Sequence, residues 1–126
     1  MIFDTGALVA AERGDRRFWV LYKIARDRAI LPSVPTPVLA EVWRGGGPRQ
    51  GILARVLRGC DTVPPAEEVA RRAGSLLAAT GGDNAVDALV VAEAEPVHDE
   101  VITGDVGDLV ELAAHAETVT IRPLGI

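Results

Sequence analysis

MIFDTGALVAA, residues 1–11, reads as a short apolar run, an acid, and then a second apolar run of different period. The spacing predicts a strand over Met1-Ile2-Phe3 and a helix through Ala7 to Ala11, with Asp4 at the junction. The same grammar returns near the other end of the chain. Glu100-Val101-Ile102-Thr103 predicts a strand, Asp105 follows it, and Val106 to Ala116 predicts a helix. An acid just beyond a strand has two readings: it caps the next helix, or it faces a site at the end of a sheet.

The intervening sequence keeps this alternation. Arg16 to Arg28 places Trp19, Val20, Lys23, Ile24 and Asp27 at helical spacing, with Phe18, Leu21 and Tyr22 widening the apolar stripe. Ala29-Ile30-Leu31 predicts a second strand, closed by Pro32. Thr36-Pro37 predicts a helix start, Thr as N-cap and Pro at the first helical position, running to Trp43 and stopping at Gly45-Gly46-Gly47. Helices are expected over 49–58 and 66–80, the latter stopped by Gly81-Gly82, with a strand at Cys60 to Val63 between them. Asp83 or Asn84 is expected to cap a helix to about Glu95, and Val119-Thr120-Ile121 closes the series as a fifth strand. Strands alternating with helices specify an α/β fold with a parallel sheet covered on both faces. Sites in such sheets form beyond the carboxyl ends of the strands, where Asp4 and Asp105 are expected to point.

Composition bounds the rest. A chain of 126 residues fits one domain, and 48% apolar residues suffice for a buried core. No repeat or linker divides it. The apolar runs are too short to span a bilayer, and no basic segment precedes the first apolar run, so a soluble, cytoplasmic protein with no membrane association is expected. Cys60 is the single cysteine and reads as a small buried strand residue, while His98 and His115 are isolated. Any metal is therefore expected to be a hard cation on oxygen ligands. The net charge of −5 hides an asymmetry: residues 1–58 carry ten bases and five acids, residues 59–126 three bases and thirteen acids. Twelve of the thirteen bases are Arg, whose forked donors suit phosphate or carboxylate.

The acids separate on inspection. Asp83 and Asp108 first read as structural, the one a cap, the other a first-turn acid favoured by the helix dipole. Glu41 projects beside Val38 and next to Val42, and Asp87 falls within the arc of Val86, Leu89, Val90 and Val91. A buried carboxylate needs a cation, a cluster of donors or a metal. Glu93 falls on the same arc as Val86, so the pattern also catches acids with no such role. Two acids at strand ends and two on inward helix faces would converge at one end of the sheet and repel one another unless a cation intervened. Divalent ions there would position a phosphodiester, activate a water and stabilise the leaving oxygen.

Four segments, IFDTGALVA at the start, LAEVWRG around Glu41, NAVDALVVAEA around Asp87 and VITGDVGDL at 101–109, resemble the PIN-domain nucleases, in particular the VapC-type toxins of bacterial toxin–antitoxin pairs. The resemblance runs over essentially the whole chain in the family's order. It implies a three-layer α/β/α domain with a central, mostly parallel five-stranded sheet, and Mg²⁺ or Mn²⁺ held by Asp4, Glu41, Asp87 and Asp105 as catalytic residues. Asp108 matches a further acid near the metals, and Thr103 a residue that supports the first Asp by hydrogen bonding. The resemblance also implies single-stranded or looped RNA as substrate, commonly tRNA or ribosomal RNA, a homodimer, and a cognate antitoxin. Where the family often has Ser, this chain has Gly6, so one polar contact near Asp4 is expected to be missing.

Arg16, Arg17, Arg44, Arg49, Arg55 and Arg58 are candidates to hold RNA phosphates or antitoxin acids, or to be solvated helix faces. Trp19, Tyr22 and Trp43 read as core before contact. Phosphatases of the haloacid dehalogenase type need a second Asp two residues after the first, where Gly6 stands, and a late Lys. Receiver domains need a late Lys as well, and the only Lys is Lys23. The rival that survives is a PIN-like module that binds protein or RNA without cutting.

Overall fold

A computed structural model describes residues 1–125. Among these residues five strands, β1 (Ile2–Phe3), β2 (Ser33–Pro35), β3 (Asp61–Val63), β4 (Glu100–Thr103) and β5 (Thr120–Pro123), form one sheet in the order β3-β2-β1-β4-β5. Every pairing is parallel, with Ile2 opposite Ser33 on one side and Val101 on the other. The chain leaves β1 in one direction to build β2 and β3, then returns across it to β4 and β5. The strand order therefore reverses at the β1–β4 boundary, and a crevice opens at the carboxyl ends of those two strands.

Among the described residues seven α-helices cover the sheet: α1 (Thr5–Glu12), α2 (Arg16–Asp27), α3 (Thr36–Val42), α4 (Pro48–Arg58), α5 (Glu67–Thr80), α6 (Ala85–Ala94) and α7 (Leu109–Ala114). α1 packs against α2 and α4 on one face, and α6 against α5 and α7 on the other. α3 touches both α1 and α6 near the strand ends. Phe3, Phe18 and Tyr22 fill the first face, with the Phe3 and Phe18 ring centroids 5.1 Å apart. Val90, Val91, Leu76 and Leu112 fill the second. Among the described residues no helix is long and apolar enough to cross a membrane.

Several expected boundaries move, each for a local reason. The second strand lies at 33–35 and not at 29–31. Ala29 and Ile30 close the end of α2, their N–H groups donating to the Arg26 and Ala25 carbonyls, and Ala29 takes φ 56°. Ile30 and Leu31 are consequently exposed, 40% and 61%, so an apolar triplet is not a strand here. Pro35, not Thr36, occupies the N-cap of α3, and no side-chain cap bond forms. The last helix begins at Leu109 and not at Val106, because residues 104–108 form a turn with Gly107 at φ 39°. Cys60 precedes β3 and does not belong to it. Its thiol donates to the Val56 carbonyl at 3.3 Å, and burial pushes its pKa up to about 12.

Candidate metal centre

Asp4 leaves β1 with its N–H donating to the Ile102 carbonyl of β4, so the backbone carries it to the crevice. One carboxylate oxygen accepts from the Ala7 N–H at 2.8 Å and caps α1. The two readings of Asp4 are thus compatible, since a carboxylate has two oxygens. The residue is 4% exposed. Burial pushes its pKa up to about 6, against the lowering effect of the Thr103 hydroxyl and the Ala7 N–H, while the charges of Asp87 and Asp105 add to the rise.

Asp105 leaves β4 in the same way but caps nothing helical. Its Oδ1 accepts from Gly107 N–H at 3.1 Å and fixes the turn. Thr103 is fully buried, and its hydroxyl donates to the Asp105 carbonyl at 2.6 Å and accepts the Asp105 N–H at 3.0 Å. The single hydroxyl proton of Thr103 is thus spent on the Asp105 carbonyl, and both of these bonds hold the backbone of Asp105 in place of the expected direct hydrogen bond to Asp4. Two glycines let the loops meet. A Cβ on Gly104 would stand 2.7 Å from the Gly6 carbonyl oxygen, and one on Gly6 would stand 3.0 Å from the Gly104 nitrogen. The first turn of α1 thus touches the β4–α7 loop backbone to backbone, leaving Ser at position 6 no room without a shift.

Asp87 sits half-buried in the first turn of α6. Asn84 caps that helix, accepting the Asp87 N–H at 3.0 Å and donating to Asp87 Oδ2 at 3.0 Å. Burial raises the Asp87 pKa to about 6, reinforced by the charges of Asp108, Glu41 and Asp105. Asp108 occupies the N-cap of α7 without a side-chain cap bond, which corrects its expected place in the first turn. Glu41 departs from expectation more sharply: it is exposed, not inward. α3 has only seven residues and buries Val38 and Val42, so Glu41 stands at the rim. There Oε1 accepts from the Thr5 hydroxyl at 2.5 Å. Thr5 was not singled out in the sequence, although its place directly after Asp4 was a usable signal.

The mutual influence of Asp4, Glu41, Asp87, Asp105 and Asp108 places these acids in one neighbourhood. Among the described residues none of the five has an ion-pair partner; other acids outside the cluster lack one too, and what sets Asp4 and Asp87 apart is burial together with the charges of neighbouring acids. Among the described residues no group of three or more acids, histidines or cysteines is arranged closely enough to hold a metal ion as it stands. The cluster is open. Its donors are all oxygen, its two most buried members resist ionisation, and no cation offsets them. That donor set fits a hard divalent cation, with the open sides left to water or substrate oxygens.

The remaining candidates are scattered. Arg17 is engaged by Asp15 through Nε and Nη2 at 3.1 and 2.6 Å. Arg44 donates to the Ala40 and Trp43 carbonyls at the end of α3. Arg55 and Arg58 line a cavity with Ile30 and Leu31 at the amino ends of the strands, away from the acids. Arg16 lines a separate cavity with Val20 and Ile24, and Arg49 has no ion-pair partner among the described residues. Tyr22 is core as expected, but Trp43 is 44% exposed beside Leu39 and Leu57. Glu93 is partly buried with Oε2 lacking a hydrogen-bond partner, and burial raises its pKa.

The sequence profile of the PIN domain matches residues 1–114. No curated protein matches the sequence. Among solved structures, the fold is similar to VapBC2 from Rickettsia felis bound to a promoter DNA fragment, with TM-score 0.74, 15% identity, and 98% of each chain covered. It is similar to a toxin–antitoxin complex from Klebsiella pneumoniae, with TM-score 0.69, 20% identity and 94% of each chain covered. It is also similar to FitAB bound to a DNA fragment, with TM-score 0.62, 17% identity, and 98% of this chain and 94% of that one covered. At these identities the likeness speaks for the fold.

Proposed function

The chain belongs to the PIN-domain family, and from that premise we propose that it is a Mg²⁺- or Mn²⁺-dependent endoribonuclease, the toxin of a VapC-type pair. PIN domains are generally nucleases. The observation that carries the proposal is the set of acids gathered at the β1–β4 crevice with no ion-paired cation among the described residues.

Asp4, Asp87 and Asp105 would hold the metal, with Asp108 and Glu41 at its open side. When bound, a divalent ion supplies charge neutralisation at the phosphodiester and a nucleophilic water at neutral pH. The chain's own residues supply the positions. Ala7 N–H and Thr103 orient Asp4 and Asp105, Asn84 orients Asp87, and the Thr5 hydroxyl orients Glu41. Below about pH 6, Asp4 and Asp87 hold protons at the oxygens that would otherwise bind the cation. Single-stranded or looped RNA, tRNA or ribosomal RNA, is the substrate in this reading, since an open rim admits an exposed strand.

The same reading gives the chain a cytoplasmic life, a homodimeric state and a cognate antitoxin. The apolar groove between α3 and α4, lined by Leu39, Trp43 and Leu57, is where an apolar antitoxin segment would rest. Expression without an antitoxin is expected to arrest growth, and Asp87→Asn or Asp105→Asn to relieve it while still folding. Sequencing of RNA ends after induction then names the target. Equal toxicity of the folded variants would rule out the nuclease reading in favour of a module that binds without cutting.

A further inference from the structure

Beside the acids a cavity of about 200 Å³ opens between the end of α1, the start of α2 and the β4–α7 loop. Gly6, Gly104 and Asp105 line it where it meets the acidic crevice, and Arg13, Asp15 and Arg17 line it further out. Seven residues of helix separate Gly6 from Arg13, about 10 Å of rise. The cavity therefore has Asp105 on one side and an arginine pair on the other.

Those two arginines are not equivalent. Arg17 is spent on Asp15, gripping both carboxylate oxygens, so the pair contributes no net charge. Arg13 has no ion-pair partner among the described residues. It sits at the C-cap of α1, where a cation also complements the helix dipole. That ordinary role does not explain why Arg13 shares one cavity with Asp105, an acid of the crevice. A cavity of this volume takes a phosphate group, and an unpaired guanidinium on its wall suits one.

We propose that this cavity seats a second phosphate of the bound RNA strand, next to the one that is cut, and that Arg13 rather than Arg17 holds it. The inference rests on the ribonuclease reading and deepens it. Arg13 was absent from the arginines singled out in the sequence.

The test uses the full chain carrying Asp87→Asn, to prevent cutting, and a short fluorescein-labelled single-stranded RNA of mixed sequence. Anisotropy is read from about 50 to about 200 mM KCl. Adding Arg13→Ala is expected to weaken binding roughly tenfold at low salt, and to reduce the slope of log K against log salt by about 0.7. Arg13→Lys is expected to restore the slope, and the charge-neutral double change Asp15→Asn with Arg17→Ala to leave it in place. Mn²⁺ affinity, measured by calorimetry in the chain with native Asp87, is expected to be the same with and without Arg13→Ala. Unchanged RNA affinity and slope in Arg13→Ala, or a larger loss in the Asp15→Asn, Arg17→Ala double variant, would overturn the subsite while leaving the nuclease reading intact. If the RNA fails to bind even with Arg13 present, and the native chain with Mn²⁺ cuts no RNA, the ribonuclease reading falls and the subsite with it.

Discussion

Replacing Asp4 with Asn removes one charge and almost no volume, and the side-chain oxygen left behind still accepts the Ala7 N–H. In the metal-free protein the native carboxylate is costly. Its pKa stands at about 6 in the fold against an ordinary value of 3.8. Because the folded value is the higher one, the folded state binds the proton more tightly, and stability falls as pH rises from about 4 through about 6. Above that window the penalty is complete, about 3 kcal/mol. At pH 4.5 about a third of it remains. Asn avoids the penalty but buries an amide N–H₂ whose satisfaction offsets part of the gain, by about 1–2 kcal/mol. Asp4→Asn without metal is therefore expected to melt higher than the native chain at pH 7.5. The gain is about 1–2 kcal/mol, or roughly 4–8 °C, and it should shrink or reverse at pH 4.5. Adding Mn²⁺ should raise the melting temperature of the native chain and not that of the variant. Differential scanning calorimetry in EDTA and in Mn²⁺ reads all four conditions. A metal-free variant less stable at pH 7.5 than at pH 4.5, relative to the native chain, would refute the reasoning.

Two further outcomes follow from the same geometry. Mn²⁺ must displace protons from Asp4 and Asp87, both raised to about 6, so its affinity by calorimetry should fall about 100-fold from pH 7.5 to pH 5; a flat profile would mean that these two acids are not ligands. Gly104→Ala places a Cβ 2.7 Å from the Gly6 carbonyl oxygen, which should cost about 1–3 kcal/mol in denaturant unfolding and weaken Mn²⁺ roughly tenfold by moving Asp105. An unchanged Mn²⁺ affinity in that variant would show that the glycine contact does not set the position of Asp105.

What could be read from the sequence was what period and local chemistry decide. The strand–acid pattern at Asp4 and Asp105 carried over directly, because a parallel sheet sends every strand exit to one edge. Asp4 also caps α1, so the structural and the chemical readings were never rivals. Glu41 shows the limit of helical projection: a seven-residue helix at the sheet rim has one thin buried stripe, and its neighbours in the wheel are not buried with it. Ala29-Ile30-Leu31 failed as a strand because helix closure consumed it, a backbone event that no side-chain period announces. The partners of the acids, Thr5 for Glu41 and Asn84 for Asp87, depend on contacts across elements or on cap geometry. The close approach of Gly6 and Gly104 lies nearly a hundred residues apart in sequence, and only the β1–β4 pairing brings it about. Arg13 could not be told from the other eleven arginines until the cavity beside Asp105 set it apart from Arg17.

The most direct measurement is RNA cleavage by the purified chain with Mn²⁺ and with EDTA, alongside Asp87→Asn and Asp105→Asn shown to be folded by circular dichroism. The acid cluster predicts cutting by the native chain in Mn²⁺ alone, with no cutting in EDTA and a loss of at least a hundredfold in either variant. Cleavage that survives EDTA, or persists undiminished in both folded variants, would contradict the metal-dependent mechanism.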